Sequence, residues 1–142
     1  MRANYKLQRL YLDAGLATGE LVPLGREQAH YLMTVLRLGD GAEVLVFNGR
    51  EGEFSATLRP QGRKAANLEI GEQTRQQPAA SRLEFLFAPL KVGRLEYLVQ
   101  KATEMGVNRI TPVFTDHTQL HKINSGRLAA NILEAAEQCG NL

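Results

Sequence analysis

Charged side chains stand at a few spacings in this sequence that could support chemistry. His30 and Arg37 are seven residues apart in a stretch of helical pattern, so at 3.6 residues per turn they share roughly one face. With Arg9 they form a candidate phosphate-binding patch, because guanidinium groups grip phosphate at two points. On charge alone, a solvated helix face accounts for them equally well. Further along, Lys91, Arg94, Lys101 and Glu104 surround a predicted strand-to-helix turn and the helix it opens. Ligands of α/β sheets sit at the carboxyl ends of the strands, which puts Pro89-Leu90-Lys91 at a functional edge. Lys101 and Glu104 read equally as a helix-surface ion pair.

Other combinations point away from chemistry. His117 and His121 are four apart, but the polar stretch from Asp116 to Ser125 has no helical pattern and no third ligand beyond Asp116. Solvated loop histidines are the expectation there, and no metal site. Gly39-Asp40-Gly41 and Gly49-Arg50-Glu51-Gly52 are glycine pairs around turns, and neither opens a helix after a strand as a dinucleotide fingerprint does. Cys139 adjoins an apolar helix face and reads as packing rather than as a nucleophile. As the single cysteine it excludes an internal disulfide and a multi-thiolate metal site. The 142 residues carry a formal charge of +2, with 44% hydrophobic and 23% charged content. That describes ordinary globular protein, and the charge alone identifies no nucleic-acid binder. No run approaches the roughly 20 apolar residues of a membrane span, so a cytoplasmic protein with no membrane partner is expected.

Two rhythms divide the elements that must position these side chains. The first seventy or so residues read as short strands: Arg9–Leu12, Glu43–Phe47, Glu53–Leu58 and Asn67–Ile70. Asn48-Gly49 supplies the positive φ angles of a tight hairpin between the second and third. One helix, Arg26–Leu36, places Ala29, Leu32, Met33 and Leu36 on one face. Short strands with one inserted helix suggest a small, partly closed β-barrel. From Gly71 to Ser81 the composition turns polar, with Pro78, and reads as a linker. A βαβ pattern follows: a strand at Leu83–Ala88, a helix carrying Leu95, Leu98, Val99, Ala102 and Met105, and a strand at Arg109–Phe114. The two strands should be parallel. A last helix spans Gly126–Cys139 with Ser125 as its N-cap. Two parallel strands and two helices leave a sheet short of partners, so at least one further α/β segment is expected after Leu142.

Taken together, the residues resemble a known family. Arg9-Leu10-Tyr11, then His30-Tyr31-Leu32-Met33-Thr34-Val35-Leu36-Arg37-Leu38-Gly39-Asp40-Gly41, then Phe47-Asn48-Gly49 are similar to the N-terminal domain of the RsmE family. In the second half Pro89-Leu90-Lys91, Gln100-Lys101-Ala102-Thr103-Glu104-Met105-Gly106-Val107, Ile110-Thr111-Pro112 and Glu134-Ala135-Ala136-Glu137-Gln138-Cys139-Gly140 follow in the same order. One departure is local: an arginine commonly follows the Gln-Cys-Gly run, and here Asn141 stands in its place. Members are 16S ribosomal RNA uridine-N3 methyltransferases of the SPOUT superfamily.

The resemblance implies an α+β chain: a PUA-like small β-barrel that binds RNA, then a truncated SPOUT-type trefoil-knot α/β domain. The implied divisions are residues 1–72 for the barrel, 73–81 for the linker and 82–142 for the start of the methyltransferase domain. It implies S-adenosylmethionine as cofactor, 16S rRNA of the small ribosomal subunit as partner, and a homodimer when complete. The family's Gly-Pro-Glu-Gly-Gly and Leu-Arg-x-Glu-Thr-Ala segments, which hold the cofactor, do not occur in these residues. S-adenosylmethionine is therefore not expected to bind this fragment, which is expected to be inactive by itself. Arg9, His30 and Arg37 are the expected RNA contacts. Lys91, Arg94 and Glu104 are candidates for the target-strand side of the active site. A non-enzymatic RNA-binding module and a purely structural domain are the rival readings.

Overall fold

The structure is a computed structural model and describes residues 6–91, 93–118, 120 and 122–142. It comprises two compact units, Met1–Pro78 and Ala79–Asn141.

The first unit is built on a five-stranded sheet in the order β1-β3-β4-β5-β2. Its strands are β1 (Arg9–Tyr11), β2 (Leu21–Pro23), β3 (Glu43–Phe47), β4 (Glu53–Pro60) and β5 (Ala66–Arg75). β1 runs parallel to β3, and the other neighbours are antiparallel. The alternation of side chains across a strand explains the burial. Phe54, Ala56 and Leu58 of β4 and Ala66, Leu68 and Ile70 of β5 face the core, while Ser55, Thr57, Asn67 and Glu69 are half exposed. β3 is buried from Val44 to Phe47, as a strand covered on both faces must be. Between β2 and β3 the chain forms α1 (Arg26–His30) and passes directly into a π-helical turn, Tyr31–Val35. Ala29 and Leu32 of this segment are completely buried against the sheet, with Met33 and Leu36 packed beside them.

Several expectations are corrected here. The hairpin between β3 and β4 exists, but its loop is five residues long, from Asn48 to Gly52, because Phe47 pairs with Glu53. The Asn48 carboxamide organises it, accepting from the Arg50 and Glu51 amides at 3.0 and 3.1 Å and donating to the Ala14 carbonyl at 2.7 Å. Gly52 is obligatory: its φ is +95°, and a Cβ there would lie 2.3 Å from the Arg75 carbonyl oxygen. The expected linker begins too early, since Gly71–Arg75 continue β5. Tertiary contacts hold that polar stretch in strand form, with Gln73 donating to the Glu51 carbonyl at 2.6 Å and Thr74 to the Glu53 carbonyl at 3.1 Å. β2 went unforeseen because three residues ending in Pro23 carry no periodic signal.

The second unit pairs β6 (Glu84–Phe87) with β7 (Arg109–Pro112) in parallel, as the βαβ pattern requires. α2 (Arg94–Glu104) connects them, and α3 (Ser125–Cys139) follows. Gly106 takes φ +78° just past α2, where a helix C-terminus favours a left-handed residue. The cap of α3 is Asn124 rather than Ser125: its side-chain oxygen accepts from the Arg127 amide at 3.1 Å. Phe87, Leu95 and Val99 form the buried centre, flanked by Phe85, Leu98, Ile110, Leu128 and Ile132. No helix among the described residues is long and apolar enough to cross a membrane.

Candidate functional site

Arg9, the first expected RNA contact, lies in the interior of the first unit. Its side chain is 2% exposed, and its Nε donates to the equally buried Glu53 carboxylate at 2.6 Å. Arg75 Nε approaches the other Glu53 oxygen at 3.7 Å, and the Thr74 hydroxyl donates to that oxygen at 2.9 Å. A guanidinium committed to a buried carboxylate has no reach to solvent phosphate, so Arg9 is a structural ion partner and not an RNA contact. The sequence position was suggestive because an arginine opening a strand looks the same whether it faces water or a buried acid.

His30 and Arg37 also part company. The expected straight helix would have set them on one face, but the π-helical turn widens the winding between them. The Leu36 amide donates back to Tyr31 at 2.9 Å, and the chain then leaves the helix through Arg37 at φ +56°. An arginine in the left-handed region ends this helix. Both residues are exposed. His30 lines a cleft of about 480 Å³ with Arg26, Glu27, Thr34, Arg63 and Lys64, and Arg37 is not among its walls.

Local structure fixes both walls of that cleft. On one side Gln28 ties α1 to the sheet, donating to the Tyr11 carbonyl at 2.9 Å and accepting from the Gly25 amide at 3.3 Å. On the other, the turn joining β4 to β5 closes with a 2.7 Å bond from the Gln61 amide to the Ala65 carbonyl, and Gly62 at φ +83° presents Arg63 and Lys64. Sequence reasoning missed Arg26, Arg63 and Lys64. The available signal was a basic pair in a turn between two strands, but nothing local says that this turn faces α1.

In the second unit Lys91 and Arg94 are exposed where the chain leaves β6 and enters α2. Lys101 and Glu104 form the helix-surface pair at 2.7 Å, with the ammonium also 5.5 Å from the Tyr97 ring. This contact raises the lysine pKa, through its hydrogen bond to Glu104 first and the carboxylate charge after it. Arg94 and Lys101 border an apolar groove of about 720 Å³ that includes Leu83, Leu90, Tyr97 and Met105. A smaller polar groove between α2 and α3 is lined by Glu96, Gln100, Asn131 and Glu134. Asn141 donates to the Thr103 carbonyl at 3.2 Å, fastening the end of α3 to the end of α2. Cys139 is half-buried, and its sulfur lies 3.9 Å from the Ala136 carbonyl. His121 lies outside the described residues, and among those described no three metal-binding side chains cluster.

Similarity to known proteins follows the same division. The family model of the RNA methyltransferase PUA domain matches residues 24–71, and that of the RNA methyltransferase domain matches residues 77–142. Ribosomal RNA small subunit methyltransferase E of Rickettsia conorii is 31% identical over 138 residues, which are 96% of this chain and 57% of that protein. Its counterpart from Buchnera aphidicola is 27% identical over 85% of this chain and 49% of its own length. Thus the chain spans about half the length of the curated relatives it matches. Among solved structures, a Legionella pneumophila protein in complex with the bound cofactor SAM is 30% identical, with a TM-score of 0.78 over 96% of this chain and 59% of that one. The Neisseria gonorrhoeae ribosomal RNA small subunit methyltransferase E bound to S-adenosyl methionine shares the fold, with a TM-score of 0.84 over 95% of this chain and 57% of that one, at 24% identity. A PUA-like unit is thus followed by a methyltransferase-type α/β unit, and the chain is similar along both to the RNA methyltransferases that include the ribosomal RNA small subunit methyltransferases E.

Proposed function

We propose that this chain supplies the RNA-docking domain and part of the catalytic domain of an S-adenosylmethionine-dependent enzyme that methylates N3 of a uridine in 16S rRNA. One observation carries the reading: the two RNA methyltransferase domain models match in order, each on a unit with its own core. Relatives named for small-subunit rRNA and solved relatives holding the methyl donor support the substrate class and the cofactor. N3 lies on the pairing edge of uridine, so the base must be unpaired or flipped out before it can react. Its proton must leave as the methyl group arrives, which calls for a base or polarising contact held in line.

Within this proposal His30 and Arg37 of the first unit face RNA. Lys91, Arg94 and Glu104 border the target strand, although the Glu104 carboxylate is already engaged by Lys101. No donor-binding role is assigned to these 142 residues, because they contain no glycine-rich loop of the kind the family uses. The complete enzyme is proposed to act as a cytoplasmic homodimer on the small ribosomal subunit.

A chimera tests the reading. These 142 residues replace the matching segment of the Rickettsia conorii relative, and 16S rRNA treated with S-adenosylmethionine is digested and analysed by nucleoside mass spectrometry. N3-methyluridine is expected. Methylation at another atom would overturn the N3 assignment, and RNA binding without any methylation would favour the RNA-binding module. S-adenosylmethionine titrated into the 142-residue chain alone is expected to give no heat; saturable binding would overturn the assignment of donor binding.

A further inference from the structure

We infer that the cleft between α1 and the β4–β5 turn is a site for the ribose–phosphate backbone of RNA, built by Arg26, His30, Arg63 and Lys64 with Glu27 and Thr34. The inference rests on the reading of the first unit as RNA-docking and names where docking occurs.

Two sets stand apart among the basic side chains of this unit. Arg9 and Arg75 share Glu53, Arg50 meets Glu51, and Arg59 is held by Glu69 and Asp40. These are structural or surface pairs, and the Arg59 guanidinium is raised in pKa chiefly by its hydrogen bond to Glu69. Arg26, His30, Arg63 and Lys64 have no carboxylate partner among the described residues, and all four line one cleft. Gathering several basic groups around a single carboxylate leaves net repulsion and adds nothing to folding. Such an arrangement becomes favourable when an anion enters. Arginine suits this role because its fork matches phosphate oxygens.

The remaining walls narrow the ligand class. Glu27 places one carboxylate in an otherwise basic cleft. An ionised carboxylate only accepts hydrogen bonds, so it opposes a bare anion but suits a ligand that carries a hydroxyl donor beside its phosphates. The Thr34 hydroxyl can donate or accept. Ribose supplies such a donor in its 2′-hydroxyl, the group by which proteins tell RNA from DNA. Preorganisation of the backbone completes the case: Gln28 anchors one wall and the Gln61–Ala65 bond closes the other, so only the side chains need ordering on binding.

Fluorescence anisotropy with a labelled single-stranded RNA about 15 nucleotides long, and the same sequence as DNA, tests this directly. Arg26→Ala/Arg63→Ala/Lys64→Ala is expected to weaken RNA binding roughly tenfold and to lower the salt slope by about 2, at about 0.7 per phosphate contact. The three side chains are exposed, so circular dichroism melting should leave the fold unchanged. Arg59→Ala, which removes a paired arginine, should leave affinity and slope alone. Glu27→Ala should narrow the preference for RNA over DNA. If the triple variant binds like the parent, the cleft assignment falls while RNA docking stands on another face. If the parent shows no salt-dependent RNA binding, both readings fall. Equal affinity of the parent for RNA and DNA overturns the ribose component.

Discussion

The first unit closes its apolar face on itself, whereas the second leaves much of its own in water. In the first, Leu32, Leu58 and Leu68 are completely buried between the sheet and the helical segment. The second centres on Phe87, Leu95 and Val99, yet Leu83, Leu86, Tyr97, Met105 and Phe114 are more than half exposed. Leu83, Tyr97 and Met105 line one groove, and a monomeric surface rarely carries a large apolar patch without using it. The polar side chains contrast as well. In the first unit buried charge is paired on Glu53 while Arg26, Arg63 and Lys64 meet at one cleft; in the second, Arg94 and Lys101 border an apolar groove. The difference teaches that the first unit presents charge as its working surface and the second presents apolar area.

The largest expected effect breaks the buried charge cluster. Glu53→Gln would leave two guanidinium groups facing a neutral amide in a dry interior and should cost about 3–5 kcal/mol in urea unfolding of the first unit. Adding Arg9→Met should recover part of that loss. A midpoint unchanged by Glu53→Gln would refute the claim that this charge is desolvated.

Core truncations compare the two units next. Leu68→Ala should cost about 2–5 kcal/mol, since a completely enclosed site cannot collapse around the cavity. Leu95→Ala should fall at the low end of that range, because Phe85 and Leu98 of the same core also line the open groove and can move in. An equal or larger cost at Leu95 would show that the second core is as tightly packed as the first.

Smaller still, Asn124→Ala should remove about 1 kcal/mol by opening the start of α3, read as lost helix signal on thermal melting. The least effect belongs to the Lys101–Glu104 pair. Its lysine pKa is raised above the ordinary 10.5 in the folded chain. The pair's contribution is therefore complete below that value and disappears as pH rises through the raised one. Screening by solvent keeps it small. Lys101→Met should abolish this alkaline dependence of α2 helicity, and a dependence that persists would assign it to another group.

Much of this organisation is legible in the residues themselves. The apolar run in Glu43–Phe47, the alternation in Glu53–Leu58, the helical spacing of Leu95, Leu98, Val99 and Ala102, and the parallel pairing of β6 with β7 follow from periodicity and connection rules. Less legible were elements whose stability comes from distant partners. β2 exists because Leu21–Pro23 can pair with Asn67–Glu69. Gly71–Arg75 are strand because Glu51 and Glu53 offer acceptors to Gln73 and Thr74. The candidate site shows the same limit. His30 was visible from its place on a helix, while Arg26, Arg63 and Lys64 were silent until the β4–β5 turn was folded against α1.

By itself the sequence determined the types of most elements, the division into two rhythms and the family resemblance, because these rest on short-range spacing and ordered motifs. Only the tertiary structure decided which arginines are available to a ligand. Arg9 and Arg63 are identical in chemistry, and one is buried against Glu53 while the other lies exposed at a turn. Charge is a property of the residue, but its availability depends on which side chains the fold brings within hydrogen-bonding distance.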